Sequence, residues 1–217
     1  FRQKFGAANP WLRDGLLLNW SVWAKSEGGT HLLDTTPGTP DGRTDAALTI
    51  GRTFSDFESG IHITPVGKGR TSPESIDVVV NLGTFPGNQP PAATVSADRT
   101  SVDPGVSVNF AVTATDPEGE TLAYFWDFGD KTFSNANSPG VAKSWSSAGE
   151  YVVRCLVSDM KGGTSSDSVV VRVGSPTTFA ISGQITSNSQ PLANVRVHNN
   201  QSGSNYRAGL ASRGTLF

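Results

Sequence analysis

Leu122-Ala-Tyr-Phe-Trp-Asp-Phe-Gly-Asp130 is the stretch that decides the fold. Its large apolar side chains fall on every second residue, Leu122, Tyr124, Trp126 and Phe128, and a period of two puts them on one face of an extended strand. The run stops at Gly129-Asp-Lys131, which is turn chemistry. Moving outward, the same alternation recurs in Val108, Phe110, Val112 and Ala114 upstream, and in Tyr151, Val153, Cys155 and Val157, then Val169, Val171 and Val173, downstream. Between these rows sit Asp116-Pro-Glu-Gly119, Ala148-Gly149 and Lys161-Gly-Gly163, which are further turns. Short strands with one apolar face each can bury those faces only against a second sheet, so the pattern predicts an all-β chain built on an antiparallel β-sandwich.

The composition excludes several classes of partner. The chain has 217 residues, with 17 Lys+Arg against 19 Asp+Glu and a formal net charge of −2. A near-neutral chain has no electrostatic case for nucleic acid or an anionic membrane surface. No apolar run reaches the ~18 residues needed to span a bilayer, so no membrane insertion is expected. The single cysteine, Cys155, excludes an intrachain disulfide and a Cys-based zinc site, and its place in an inward row predicts a buried, inert thiol. Phe1 is not an initiator Met and the first residues lack the layout of a signal peptide, so the chain reads as a piece of something longer.

Proline divides the chain. Pro86-Gly-Asn-Gln-Pro-Pro-Ala92 lacks the donors of a central strand and reads as a linker, with a second boundary at Val173-Gly-Ser-Pro-Thr-Thr178. Segments 1–87, 88–174 and 175–217 result. The first also reads as β, through Leu16–Trp20, Ala46–Ile50, Gly60–Thr64 and Ser75–Val80.

Three resemblances follow from these residues. Trp126-Asp-Phe-Gly-Asp130, Ser147-Ala-Gly-Glu-Tyr151 and Ser158-Asp159, with Asn88-Gln-Pro-Pro91 ahead of them, resemble a PKD domain over 88–174. The resemblance implies an Ig-like sandwich on a secreted or cell-surface, hence extracellular, protein. Lys131 stands where the family usually has Gly, and Trp145 where it usually has Tyr. In the first segment, Leu32-Leu-Asp-Thr-Thr-Pro-Gly38, Asp45-Ala-Ala-Leu48, Gly51-Arg-Thr-Phe-Ser-Asp56 and Gly60-Ile-His-Ile-Thr64 are similar to the region after the catalytic core of secreted gametolysin-like bacterial metallopeptidases. That similarity implies an upstream catalytic domain in the same polypeptide. Ile181-Ser-Gly-Gln-Ile185 and Gln190-Pro-Leu-Ala-Asn-Val-Arg-Val197 resemble the start of a carboxypeptidase-regulatory-like, transthyretin-like module, of which 175–217 would be a part.

No residue is assigned a catalytic role. A zinc peptidase needs His-Glu-x-x-His, which is absent, and His31, His62 and His198 each stand alone in strand or loop sequence, where partly exposed imidazoles are expected. Gly-x-Ser-x-Gly is absent as well, and Asp127-Phe-Gly129 lacks the other parts of a kinase. Calcium is the one cofactor the sequence suggests, because it takes six to eight oxygens of the kind acidic loops supply. The PKD resemblance implies Asn88, Asp116 and Asp159 as its ligands, with Ser158 or Glu118 as extras, while Met160 replaces a second acid that often follows Asp159. Trp145, placed before a turn, is the candidate for binding through an exposed indole, whereas Trp126 reads as core. Trp11, Trp20 and Trp23 could form an apolar cluster, and Asn19-Trp-Ser21 and Asn200-Gln-Ser202 match the N-glycosylation pattern.

The expected function is therefore that of a non-catalytic C-terminal accessory region, which binds insoluble protein or polysaccharide and spaces a catalytic domain from it. A surface stalk of strung sandwiches is the alternative from a different class. A third reading has 1–87 complete an active site with residues upstream.

Overall fold

The computed structural model describes residues 9–21, 29–37, 39, 41–69, 71 and 74–175, and the backbone of 186–187, 190–191, 196–198 and 205–207. In chain order the elements are helix α1 (Pro10–Asp14) and strands β1 (Gly15–Leu16), β2 (Asn19–Trp20), β3 (His31–Leu32), β4 (Leu48–Thr49), β5 (Phe54–Asp56), β6 (Ile61–Gly69), β7 (Ser75–Leu82), β8 (Ala92–Ala97), β9 (Ser101–Val102), β10 (Val108–Thr115), β11 (Ala123–Asp127), β12 (Gly140–Lys143), β13 (Gly149–Ser158) and β14 (Thr164–Val173). Four more short strands follow, β15 (Thr186–Ser187), β16 (Gln190–Pro191), β17 (Arg196–His198) and β18 (Asn205–Arg207). Apart from α1 and a single 3-10 turn at Gly42–Thr44, the described elements are all strands, as the alternation predicts. It forms two compact units: Phe1–Leu17 with Leu48–Ala180, and Leu18–Ala47 with Ile181–Phe217.

The core of the first unit is a sandwich. One sheet runs β12-β10-β8 and the other β11-β13-β14-β9, antiparallel throughout except for β9, which pairs in parallel with β14. Val108, Phe110 and Val112 from the first sheet face Trp126, Phe128, Val153, Cys155, Val157, Val171 and Val173 from the second. Each large side chain so buried contributes about 1.5–3 kcal/mol. All four apolar rows of the sequence point inward, with Ala114, Leu122, Tyr124, Tyr151 and Val169 packed at the margin. The buried indole of Trp126 donates to the Ser138 carbonyl at 2.9 Å, and the Tyr151 hydroxyl donates four residues back to Ser147 at 3.0 Å. The second bond has the geometry of the tyrosine corner of Ig-like sandwiches.

Trp145 corrects the expectation of an exposed indole. It is 3% exposed, stacked on Tyr151 (4.9 Å between centroids, 15° between planes) and edge-on to Phe110 at 6.1 Å. Closing the end of the sandwich buries more apolar area than leaving the ring in water, so Trp145 is core and offers no face to a ligand.

In the same unit, β5-β6-β7 form a three-stranded antiparallel sheet whose register slips between Pro65 and Gly67. The bulge accommodates a proline that has no N–H to give the ladder. One face of this sheet is polar and sealed. His62, which the sequence leaves partly exposed, is 1% exposed, between Phe57 (5.7 Å) and Phe85 (5.5 Å). The Gly83 carbonyl can only accept, so Nε2 donates to it (3.3 Å), and Nδ1 shares a hydrogen bond with the Ser55 hydroxyl (2.9 Å). The opposite face leaves Val78, Val80 and Leu82 exposed.

This sheet is joined to the sandwich by specific contacts. The Thr53 hydroxyl bonds that of Ser158 at 2.6 Å, and the Asn81 amide donates to the Met160 carbonyl at 2.9 Å. The Arg52 guanidinium lies 5.6 Å from the centre of the Phe125 ring. Gly51 has φ +87° and its Cα passes so close to the Tyr124 carbonyl that any Cβ would overlap it. Trp11 on α1 packs on Phe133 at 4.6 Å.

In the second unit, β2 and β3 pair antiparallel, with Trp20 opposite His31. Trp20 is 54% exposed, which corrects its expected place in an apolar cluster. Trp23, Ile181–Ile185 and Asn200 lie outside the described residues. The antiparallel pairs β15–β16 and β17–β18 are the described part of the tail.

Candidate functional site

Acidic side chains converge at the end of the sandwich where the Pro-rich stretch enters. The loop after β10 begins with Asp116, whose Oδ1 accepts the backbone N–H of Glu118 and of Glu120, both at 3.0 Å. This Asx turn curls Asp116-Pro-Glu-Gly-Glu120 back on itself and brings Glu120 beside Asp116. The loop after β13 is held the same way: Asp159 Oδ1 accepts from Lys161 N at 2.7 Å and Gly163 N at 3.0 Å. Gly163 leaves the room this needs, since a Cβ there would overlap the Asp159 carboxylate. Asp159 is buried, and its other oxygen takes the Asn88 side-chain N–H at 2.7 Å.

The structure therefore brings Asn88, Asp116 and Asp159 to one place, and one carboxylate oxygen each from Asp116, Glu120 and Asp159 lie within 4.8 Å of one another. The two named extras are elsewhere. Glu118 accepts from Gln89 at 3.3 Å and 3.5 Å, and Ser158 bonds Thr53 and Met160 N. Glu120 takes their place. Its signal in the sequence was the Asx-type turn itself, which returns the chain after four residues. Met160, where a second acid often stands, is buried with φ +62°.

Charge in this cluster is incompletely balanced. Lys161 pairs with Glu120, which holds the ammonium above the usual lysine range, and the same ammonium lies 5.2 Å from the centre of the Phe85 ring. Against that one cation stand three carboxylates. Asp116 Oδ2 and Glu120 Oε2 are buried and have no hydrogen-bond partner among the described residues. Buried carboxylate oxygens are costly when left unpaired, and oxygen donors of this kind suit a hard cation. The set fits calcium in donor type and in charge. Asp116, Glu120 and Asp159 would hold it, with Asn88 fixing Asp159, and the ion would supply the missing positive charge.

The model of the PKD domain family matches residues 88–173. Residues 88–173 are a PKD domain. Collagenase ColA of Clostridium perfringens is 34% identical over 87 residues, which are 40% of this chain and 8% of that protein. Pre-pro-metalloprotease PrtV of Vibrio cholerae is 33% identical over 72 residues, or 33% of this chain and 8% of that protein. The matches thus span a small part of these relatives. A solved PKD1 domain from Vibrio cholerae PrtV is 28% identical, with a TM-score of 0.34 over 40% of this chain and 99% of that one. The PKD domain here has its acidic end formed by Asn88, Asp116, Glu120 and Asp159, its tyrosine corner by Tyr151, and its end closed by Trp145.

Proposed function

We propose that this chain is a non-catalytic accessory region of a secreted metallopeptidase-like protein, which holds a catalytic domain on an insoluble protein or polysaccharide and spaces the two. The observation that carries this is the likeness of its PKD domain to segments of a bacterial collagenase and of a bacterial pre-pro-metalloprotease. The sequence adds that no His-Glu-x-x-His stands beside it. On this reading the PKD domain and the sheet β5-β6-β7 work as one block, joined by Thr53, Asn81 and Lys161, so that a catalytic domain upstream would be carried on a semi-rigid spacer. The gain for a tethered enzyme is effective concentration, which can raise apparent affinity by about 10²–10⁴ without tight contacts. The location is extracellular, and among the described residues no helix is long and apolar enough to cross a membrane. Calcium, held by Asp116, Glu120 and Asp159, would stiffen the junction.

The test is co-sedimentation of the purified chain with collagen fibres, elastin, chitin and cellulose, alongside its activity on casein and gelatin. Retention on at least one insoluble polymer with no hydrolysis is expected. Hydrolysis by the chain alone, or retention on none of the polymers, overturns the reading.

A further inference from the structure

A groove of about 550 Å³ opens between α1 and β12, within the range of ligand sites. Pro10 and Arg13 form one wall, and Phe128, Phe133 and Asn135 the other. Its floor is the edge of β12, which among the described residues pairs with β10 on one side only.

The register shows which main-chain groups face the groove. Val112 N donates to Pro139 O at 2.8 Å, so Val141 and Lys143, two and four residues on, turn their amides toward β10, and Gly140 and Ala142 turn theirs outward. Gly140 is satisfied locally, because Ser138 Oγ donates to its carbonyl (2.8 Å) and accepts from its N–H (3.3 Å). Among the described residues Ala142 is left as the open rung, exposed on the groove floor.

Charge and shape narrow the occupant. Arg13 in the wall is paired with Asp14, Lys68 behind it with Asp14 and with Glu74 at 3.8 Å, and Lys143 nearby with Asp130 at 2.8 Å, so each cation about the groove has its carboxylate and the groove presents no net charge to a ligand. A sugar ring would need a flat, uncovered aromatic face. Phe133 is packed on Trp11 and Phe125, and Phe128 is buried beneath the Lys143 ammonium. An extended backbone needs an open strand edge and small neighbours, which Ala142, Gly140 and Ala136 supply.

We propose that this groove binds an extended, uncharged peptide strand that pairs with the main chain of Ala142 and so adds to β12. This rests on the accessory reading above and gives it a substrate class, unfolded or frayed polypeptide. β12 is only four residues long, so each site holds its strand weakly and retention comes from the tether.

The test uses the full chain, an end-blocked nine-residue peptide of alternating Val, Thr and Ser, and chitohexaose as the glycan arm. Followed by NMR, the peptide is expected to shift the Ala142 amide resonance and slow its hydrogen exchange at least tenfold. Ala142→Pro deletes the outward N–H and leaves the donors that face β10, at an edge-strand position of the kind proline tolerates, so the melting temperature should stay within a few degrees while peptide affinity falls at least tenfold. A second variant, Ala142→Tyr, keeps the N–H but fills the groove and should also lose the peptide. Unchanged peptide affinity in both variants, shifts confined to other residues, no peptide binding by the wild type, or the same Ala142 shift with chitohexaose would each overturn the proposal. Retention on an insoluble polymer that survives Ala142→Pro would remove the groove and leave the accessory reading standing, whereas a wild type retained on none removes the reading itself.

Discussion

Trp145 shows most clearly what a single residue does in this chain. Its ring completes the core with Phe110 and Tyr151, and its Nε1 is buried with no hydrogen-bond partner among the described residues, so apolar burial outweighs a lost bond worth about 1–3 kcal/mol. Trp145→Ala is predicted to destabilise the PKD domain by about 3 kcal/mol or more in urea unfolding, the usual cost of emptying an aromatic core site. A variant with unchanged stability would return the residue to the surface. Lys131 sits at φ +66°, the left-handed region that side chains resist and that the family's usual Gly accepts freely. Lys131→Gly is therefore predicted to stabilise the domain by about 1 kcal/mol, less the entropy glycine adds to the unfolded chain. A loss of stability would mean that contacts of Lys131 offset the strain. Period two in the sequence made Trp126 legible as core. Trp145 and His62 were not legible, because each is buried by a partner remote in sequence, the end of a sandwich in one case and the Phe57–Phe85 pair in the other.

At the scale of elements, two carboxylates titrate in opposite senses. Asp14, at the end of α1, is pushed up by burial, but Arg13 and Lys68 together outweigh this and hold it below the usual carboxylate range. Its stabilisation is present above the unfolded value of about 3.9 and is lost as pH falls through the lower folded value. Asp127, at the end of β11, is raised, chiefly by burial. There the folded state holds the proton more tightly, so ionisation costs stability at neutral pH. Asp127→Asn is predicted to be more stable than the wild type at pH 7, with the gain gone below about pH 3.9, whereas Asp14→Asn should lose stability at pH 7. Urea midpoints across pH 3–8 would show it, and the same sign in both variants would contradict the assignment. The loops after β10 and β13 carry the calcium prediction. Millimolar calcium should raise the melting temperature relative to chelator by several degrees, and Glu120→Gln should reduce the shift; a transition indifferent to calcium would sink the site. Asn88, Asp116 and Asp159 could be named from the sequence because a family motif spaces them. Glu120 is missed when Asp116-Pro-Glu-Gly119 is read only as a turn and not followed to the residue it carries back beside Asp116.

For the whole molecule, alternation and turn residues sufficed to predict an all-β chain with a sandwich over 88–174, and the PKD match over 88–173 agrees. The contacts across Pro86–Ala92 did not follow from them, since Thr53–Ser158 and Asn81–Met160 join residues far apart in the chain through side chains that carry no periodic signal. Those contacts give the accessory reading its mechanical content, a spacer with one firm joint rather than a loose string. The most direct measurement is to fuse a zinc peptidase catalytic domain upstream of this chain and compare its rate on insoluble and soluble forms of one protein substrate, with and without the chain. The account predicts a rate on the insoluble form raised at least tenfold by the chain and a rate on the soluble form unchanged. Equal ratios with and without the chain would contradict it.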